Sequence, residues 1–135
     1  MDLNKQKELL NHLTILYVED IDEVAQYLSS FLTRRFQTVH RAHDGKEALT
    51  IFKKHKEFID LVITDIRMPH IDGLELSRMI KEISFKTPVI ITTAFTDNEY
   101  TDEAKDIGID GYITKPIEND ALVHLILSVT NKHES

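Results

Sequence analysis

Asp60-Leu61-Val62-Ile63-Thr64-Asp65-Ile66-Arg67-Met68-Pro69 decides the fold. Leu61 to Thr64 form an apolar, β-branched run too short for a helix and suited to a strand buried on both faces. The run stops on an acid, Asp65, and enters a turn punctuated by Pro69 and Gly73. That pattern holds a carboxylate at the rim of a sheet. Upstream, Ile15-Leu16-Tyr17-Val18 ends on two acids, Glu19 and Asp20. Downstream, Gly111-Tyr112-Ile113 is followed by Lys115. Weaker runs lie at Val39 to Ala42 and Val89 to Ile91.

Stretches with helical spacing separate these runs. Val24, Tyr27, Leu28 and Phe31 repeat at i, i+3, i+4, i+7, as do Leu76, Met79, Ile80 and Ile83, and Leu122, Leu125, Ile126 and Val129. Ala48, Leu49 and Phe52 make a shorter stripe. Fivefold strand–helix alternation predicts an α/β fold: a doubly wound, five-stranded parallel sheet flanked by five helices. Right-handed crossovers then bring the carboxyl ends of the strands to one side. Residues 96–106 are poor in apolar anchors, offering Tyr100 and Ala104 before Ile107, so a helix there packs thinly. Residues 1–12 form an N-terminal extension, and Leu3, Leu9, Leu10 and the adjoining Leu13 suit a short helix on the body. The main domain is expected over residues 13–131, with a polar tail at 132–135.

At 135 residues the chain suits one domain with a real core. Its net charge of −7 argues against broad nucleic-acid binding by this chain. No apolar run is long enough to span a bilayer, and residues 1–11 lack a signal-peptide pattern. The absence of cysteine excludes disulfides and zinc–thiolate sites. A cytoplasmic location, with neither membrane nor direct nucleic-acid contact, is the expectation.

Ligands of open parallel sheets bind beyond the carboxyl ends of the strands. Glu19, Asp20, Asp65, Thr92, Thr93 and Lys115 all fall at or just past such ends. Two carboxylates about 4 Å apart repel by roughly 4 kcal/mol at an effective dielectric near 20. Protonation or a cation must relieve this. A few hard oxygen ligands completed by water suit Mg²⁺. A carboxylate beside Mg²⁺ can attack phosphorus and form an aspartyl phosphate, with an ammonium and a hydroxyl holding the phosphoryl oxygens. Singly, each residue has a plainer use: an acid capping the next helix, a surface lysine, a turn threonine. Their joint placement at successive strand ends favours the site. The seven histidines show no ligand spacing; His70 is nearest the site.

The ordered segments Ile15-Leu16-Tyr17-Val18-Glu19-Asp20, Asp44-Gly45-Lys46-Glu47-Ala48-Leu49 and Asp60 to Pro69 resemble the receiver domains of two-component response regulators, the flavodoxin-like CheY type. So do Asp72-Gly73-Leu74-Glu75-Leu76, Pro88-Val89-Ile90-Ile91-Thr92-Thr93-Ala94 and Gly111-Tyr112-Ile113-Thr114-Lys115-Pro116. The resemblance covers about residues 13–131. It implies that Asp65 accepts phosphate and that Asp20 ligates Mg²⁺ directly, with Glu19 acting mainly through water. It implies that the Arg67 backbone carbonyl completes the protein ligands. Thr93 and Lys115 would contact the phosphoryl group, Thr93 and Tyr112 would form the switch, and Lys115-Pro116 would be cis. Arg67 and Phe95 would flank the path of hydrolytic water and slow the loss of phosphate.

The implied partners are a sensor histidine kinase or phosphotransfer protein, and a downstream effector or second copy. The latter would bind through the face of residues 100–107 and 121–129, from Tyr100 to Ile107 and from Ala121 to Val129. Such a protein catalyses its own phosphorylation and dephosphorylation but is a switch rather than an enzyme. Two rivals fit less well. An aspartyl-phosphate phosphatase needs an acid where Arg67 stands. A flavin-binding relative needs a phosphate-cradling loop where Glu19-Asp20-Ile21-Asp22 would repel phosphate.

Overall fold

The computed structural model describes residues 3–94 and 101–134. In chain order these form α1 (Leu3–Asn11), β1 (Thr14–Val18), α2 (Asp22–Arg35), β2 (Thr38–Ala42), α3 (Gly45–His55) and β3 (Leu61–Asp65). Then follow α4 (Gly73–Ile83), β4 (Val89–Thr93), α5 (Thr101–Ile107), β5 (Gly111–Thr114) and α6 (Asn119–Glu134). The five strands make one parallel sheet in the order β2-β1-β3-β4-β5. Five helices follow the strands as expected. The extension supplies a sixth, α1, which covers the body with Leu10 buried and Leu3 left outside. Helix α6 takes in residues 132–134, set apart above as a polar tail.

The central strands are buried on both faces because helices cover both. Side chains alternate across a strand. Ile15 and Tyr17 of β1 therefore join Leu61, Ile63 and Ile90 beneath α2 and α6, while Leu16 and Val18 join Val62 and Val89 beneath α3 and α4. Each such aliphatic side chain contributes roughly 1.5–3 kcal/mol by leaving water. A third, smaller cluster of Ile66, Leu74, Ile91 and Ala104 joins α4 to α5. Ala104 is the buried anchor of α5, in line with the sparse apolar content there.

One expected stripe is displaced. In α2, Leu28 and Phe31 are buried, but Val24 is 38% and Tyr27 71% exposed, and Ala25 and Leu32 take the inner face instead. Both sets share helical spacing, so hydrophobicity alone selected the larger residues. Packing against a close neighbouring sheet selected the smaller Ala25.

Helices α3 and α4 start on aspartates. The Asp44 and Asp72 side chains accept hydrogen bonds from the Glu47 and Glu75 amides, both at 2.8 Å. Gly73, the first residue of α4, is required by close approach. A Cβ there would collide with the Asp65 carbonyl oxygen. The 66–72 loop thus folds tightly back on the end of β3, closed by the Gly73 amide donating to the Ile66 carbonyl at 2.8 Å.

Candidate functional site

Strand register brings the candidate residues to one edge. Val18 pairs with Thr64 and Asp65 with Thr92, so the ends of β1, β3 and β4 lie side by side. Glu19 and Asp20 follow β1, Thr93 ends β4, and Lys115 follows β5. Glu19, Asp20 and Asp65 each offer an oxygen within 4.8 Å of the others. Among the described residues this is the one group of three or more acids or histidines so arranged. The Lys115 Nζ lies 2.7 Å from Asp65 Oδ2 and 3.7 Å from Glu19 Oε1. The other Asp65 oxygen, Oδ1, accepts from the Ile66 amide at 2.7 Å.

Glu19 and Asp65 are both buried, which few acids are without partners. Burial pushes the Glu19 carboxyl up to about 7, reinforced by the negative charge of Asp65; Lys115 and the Ile21 amide only partly oppose this. Burial alone would lower the Lys115 ammonium. Its hydrogen bond to Asp65 and the charges of Asp65 and Glu19 outweigh that, and its net shift is upward. Tyr17, beneath the cluster, is raised by burial and then by Glu19 and Asp65. The site is therefore a pocket of excess negative charge that one lysine only partly compensates. Three convergent carboxylates with exposure at Asp20 suit a hard divalent cation.

The other candidates sit at the rim. Thr93 is half-buried, and its carbonyl accepts from the Lys115 amide at 2.8 Å. Arg67 is exposed on the loop after β3. Tyr112 is not gathered into the cluster: on the edge strand β5 it points outward, 43% exposed. The Lys115-Pro116 bond is cis. Phe95 and Tyr100 lie outside the described residues. His70 is exposed with φ 68° and takes no part in the acid cluster. His55 is half-buried and stacks on His40 with ring centroids 4.7 Å apart.

Sequence reasoning missed Arg41. It lies in β2, opposite Tyr17, and its Nη2 donates to the Glu19 carbonyl at 2.8 Å while lying 3.0 Å from Asp22 Oδ1. Only parallel register could have signalled this contact. It also missed an apolar patch beside Lys115. Val24, Tyr27, Leu28, Pro116 and Ile117 line a groove of about 520 Å³ between α2 and the loop after β5.

The chain belongs to the response regulator receiver domain family, whose profile matches residues 15–127. It is 35% identical over 118 residues to the response regulator ArlR of Staphylococcus aureus, covering 87% of this chain and 52% of ArlR. The chain thus spans about half the length of the curated relatives it matches. Among solved structures it is similar to a response regulator receiver domain protein from Clostridium thermocellum. The identity is 30% and the TM-score 0.86, covering 90% of this chain and 97% of that one. It also resembles a chain of the CheX–CheY–BeF3–Mg complex from Borrelia burgdorferi, with 28% identity, a TM-score of 0.80, and coverage of 87% and 88%. A receiver domain of a two-component response regulator is the class that fold, site and relatives define.

Proposed function

We propose that Asp65 accepts a phosphoryl group from the phosphohistidine of a sensor histidine kinase or phosphotransfer protein, with Mg²⁺ held by the acid cluster. One observation carries the reading. A buried carboxylate on the central strand shares its pocket with two more acids and contacts a lysine at 2.7 Å. The Asp20 and Asp65 carboxylates and the Arg67 backbone carbonyl would hold the cation, with Glu19 mainly behind a water. The cation supplies neutralisation of the crowded acids and of the phosphoryl oxygens. Asp65 is the nucleophile, Lys115 guides the phosphoryl group, and the Thr93 hydroxyl holds it once transferred. The chain promotes its own phosphorylation and dephosphorylation and otherwise acts as a switch. A structural neighbour was solved with beryllofluoride and magnesium, which supports this ligand chemistry.

The receiver comprises residues 13–131, preceded by the extension that carries α1 and followed by the polar residues 132–135 that continue from α6, and it works in the cytoplasm. The donor docks on the groove of Val24, Tyr27, Pro116 and Ile117, beside Lys115. Phosphorylation adds roughly −1.5 to −2 charges and three acceptor oxygens. Thr93 moves toward them and Tyr112 turns into the space it leaves. The face of residues 100–107 and 121–129 then binds an effector or a second copy. To test the reading, the protein is incubated with a small phosphodonor and its intact mass followed. Phosphate uptake should require Mg²⁺ and vanish in Asp65→Asn. Uptake independent of both would refute the reading.

A further inference from the structure

We propose that Arg41 is a positioning residue for cation binding, reaching from β2 to hold the 19–22 loop in its ligating shape. The inference rests on the reading of Glu19, Asp20 and Asp65 as a divalent-cation site. Three observations converge on it. First, α2 begins without a side-chain cap. Its cap residue, Ile21, has no polar group to offer, whereas α3 and α4 are capped by Asp44 and Asp72. The loop that carries the acids therefore lacks the local device that fixes the other two helix entries. Second, β2 grips Glu19 through both sides of its backbone. The Glu19 amide donates to the Ala42 carbonyl at 3.1 Å, and Arg41 Nη2 donates to the Glu19 carbonyl at 2.8 Å. Third, the same guanidinium lies 3.0 Å from the carboxylate of Asp22, the first residue of α2, and is itself only 22% exposed. Arg41 thus pins the loop at both ends of the Glu19-to-Asp22 turn. Both contacts are made by Nη2, while Nη1 lies 3.1 Å from His43 Nε2, and this three-point fit suits a planar guanidinium better than a lysine.

Two physical effects of Arg41 oppose each other at a cation site. Its positive charge repels an incoming cation, so losing it tightens binding on Coulomb grounds. Its hydrogen bonds preorganise the ligands, so losing them loosens binding. The half-buried bond to the Glu19 carbonyl, joined by the contact to Asp22 on the same loop, makes positioning the larger effect. The sign of the change in affinity therefore decides between the two roles.

The test is Mg²⁺ binding to the full chain by calorimetry, at low and moderate salt, alongside thermal unfolding without metal. Arg41→Ala is expected to weaken binding about tenfold, the lower end for residues that orient metal ligands. Arg41→Gln, too short to reach both oxygens, should weaken it in the same direction and serves if Arg41→Ala fails to fold. Arg41→Lys should recover part of the loss. Asp22→Asn should stay close to wild type, because the bond to the Glu19 carbonyl survives. Equal or tighter Mg²⁺ binding in a folded Arg41→Ala or Arg41→Gln protein overturns the proposal and leaves Arg41 as a neighbouring charge. If the wild-type protein binds no Mg²⁺, the cation site itself fails, and Arg41 has nothing to position.

Discussion

Glu19 shows most directly how burial becomes chemistry. Its carboxyl is raised from 4.5 to about 7 by burial and by Asp65. The folded state therefore binds this proton more tightly than the unfolded state. The stabilisation it confers is fully present below about pH 4.5 and is lost as pH rises through about 7. In chelator-treated protein, Glu19→Gln should thus be more stable than wild type at pH 8, by roughly 2–3 kcal/mol. At pH 4.5 the two should be nearly equal. Urea denaturation at both pH values checks this, and an equal difference at both would contradict it. Wild-type Mg²⁺ binding should strengthen between pH 5.5 and 7.5, because the cation must displace that proton. Acids at strand ends were legible in the sequence from their place after apolar runs. The contribution of Arg41 was not, because it depends on which strand lies beside β1.

The elements around the site show where a small change is costly. Gly73 starts α4 against the carbonyl of Asp65, with no room for a methyl group. Gly73→Ala should destabilise the protein by about 2 kcal/mol or more, because the backbone must shift at a tight turn. It should also slow phosphate uptake by displacing the end of β3. Full stability and uptake in this variant would contradict the close approach. At the opposite edge of the sheet, Lys81 in the last turn of α4 pairs with Asp110. The pair is 2.7 Å apart and mostly buried; Lys81 also donates to the Thr87 carbonyl and Asp110 accepts from the Val89 amide at 2.8 Å. Removing one partner strands the other, so Asp110→Ala should cost about 2–4 kcal/mol in urea unfolding without changing Mg²⁺ binding. A cost below 0.5 kcal/mol would show that the pair is effectively solvated. Helix positions were legible from apolar spacing, but the inner face of α2 was not. Ala25 and Leu32 face the sheet, while Val24 and Tyr27 remain outside and line the groove beside Lys115.

Among the described residues, a sheet buried on both faces carries helices of unequal anchorage, α5 being held by a single buried side chain. Strand alternation and short crossovers made the parallel α/β architecture legible, since few topologies satisfy both. The order β2-β1-β3-β4-β5 puts the acids of β1 next to Asp65 at the centre, with β5 and its outward Tyr112 at the edge. Helix α5 has Ala104 as its buried anchor and touches α4 through the Arg78–Glu103 pair at 3.5 Å. On the proposed reading it is the element that a shift of a few kcal/mol would move. Adding beryllofluoride and Mg²⁺ should change amide hydrogen exchange most in residues 101–107 and 111–116. A response confined to residues 22–35 would put the output face elsewhere. The central claim is that Asp65 is the phosphoryl acceptor. An acyl phosphate, unlike a phosphohistidine or a free carboxylate, is reduced by borohydride to an alcohol. Peptide mass spectrometry after phosphorylation with Mg²⁺ and borohydride treatment should therefore find homoserine at position 65 and at no other aspartate. Homoserine at position 20 or 22 instead, or phosphate retained on a histidine with residue 65 intact, would contradict it.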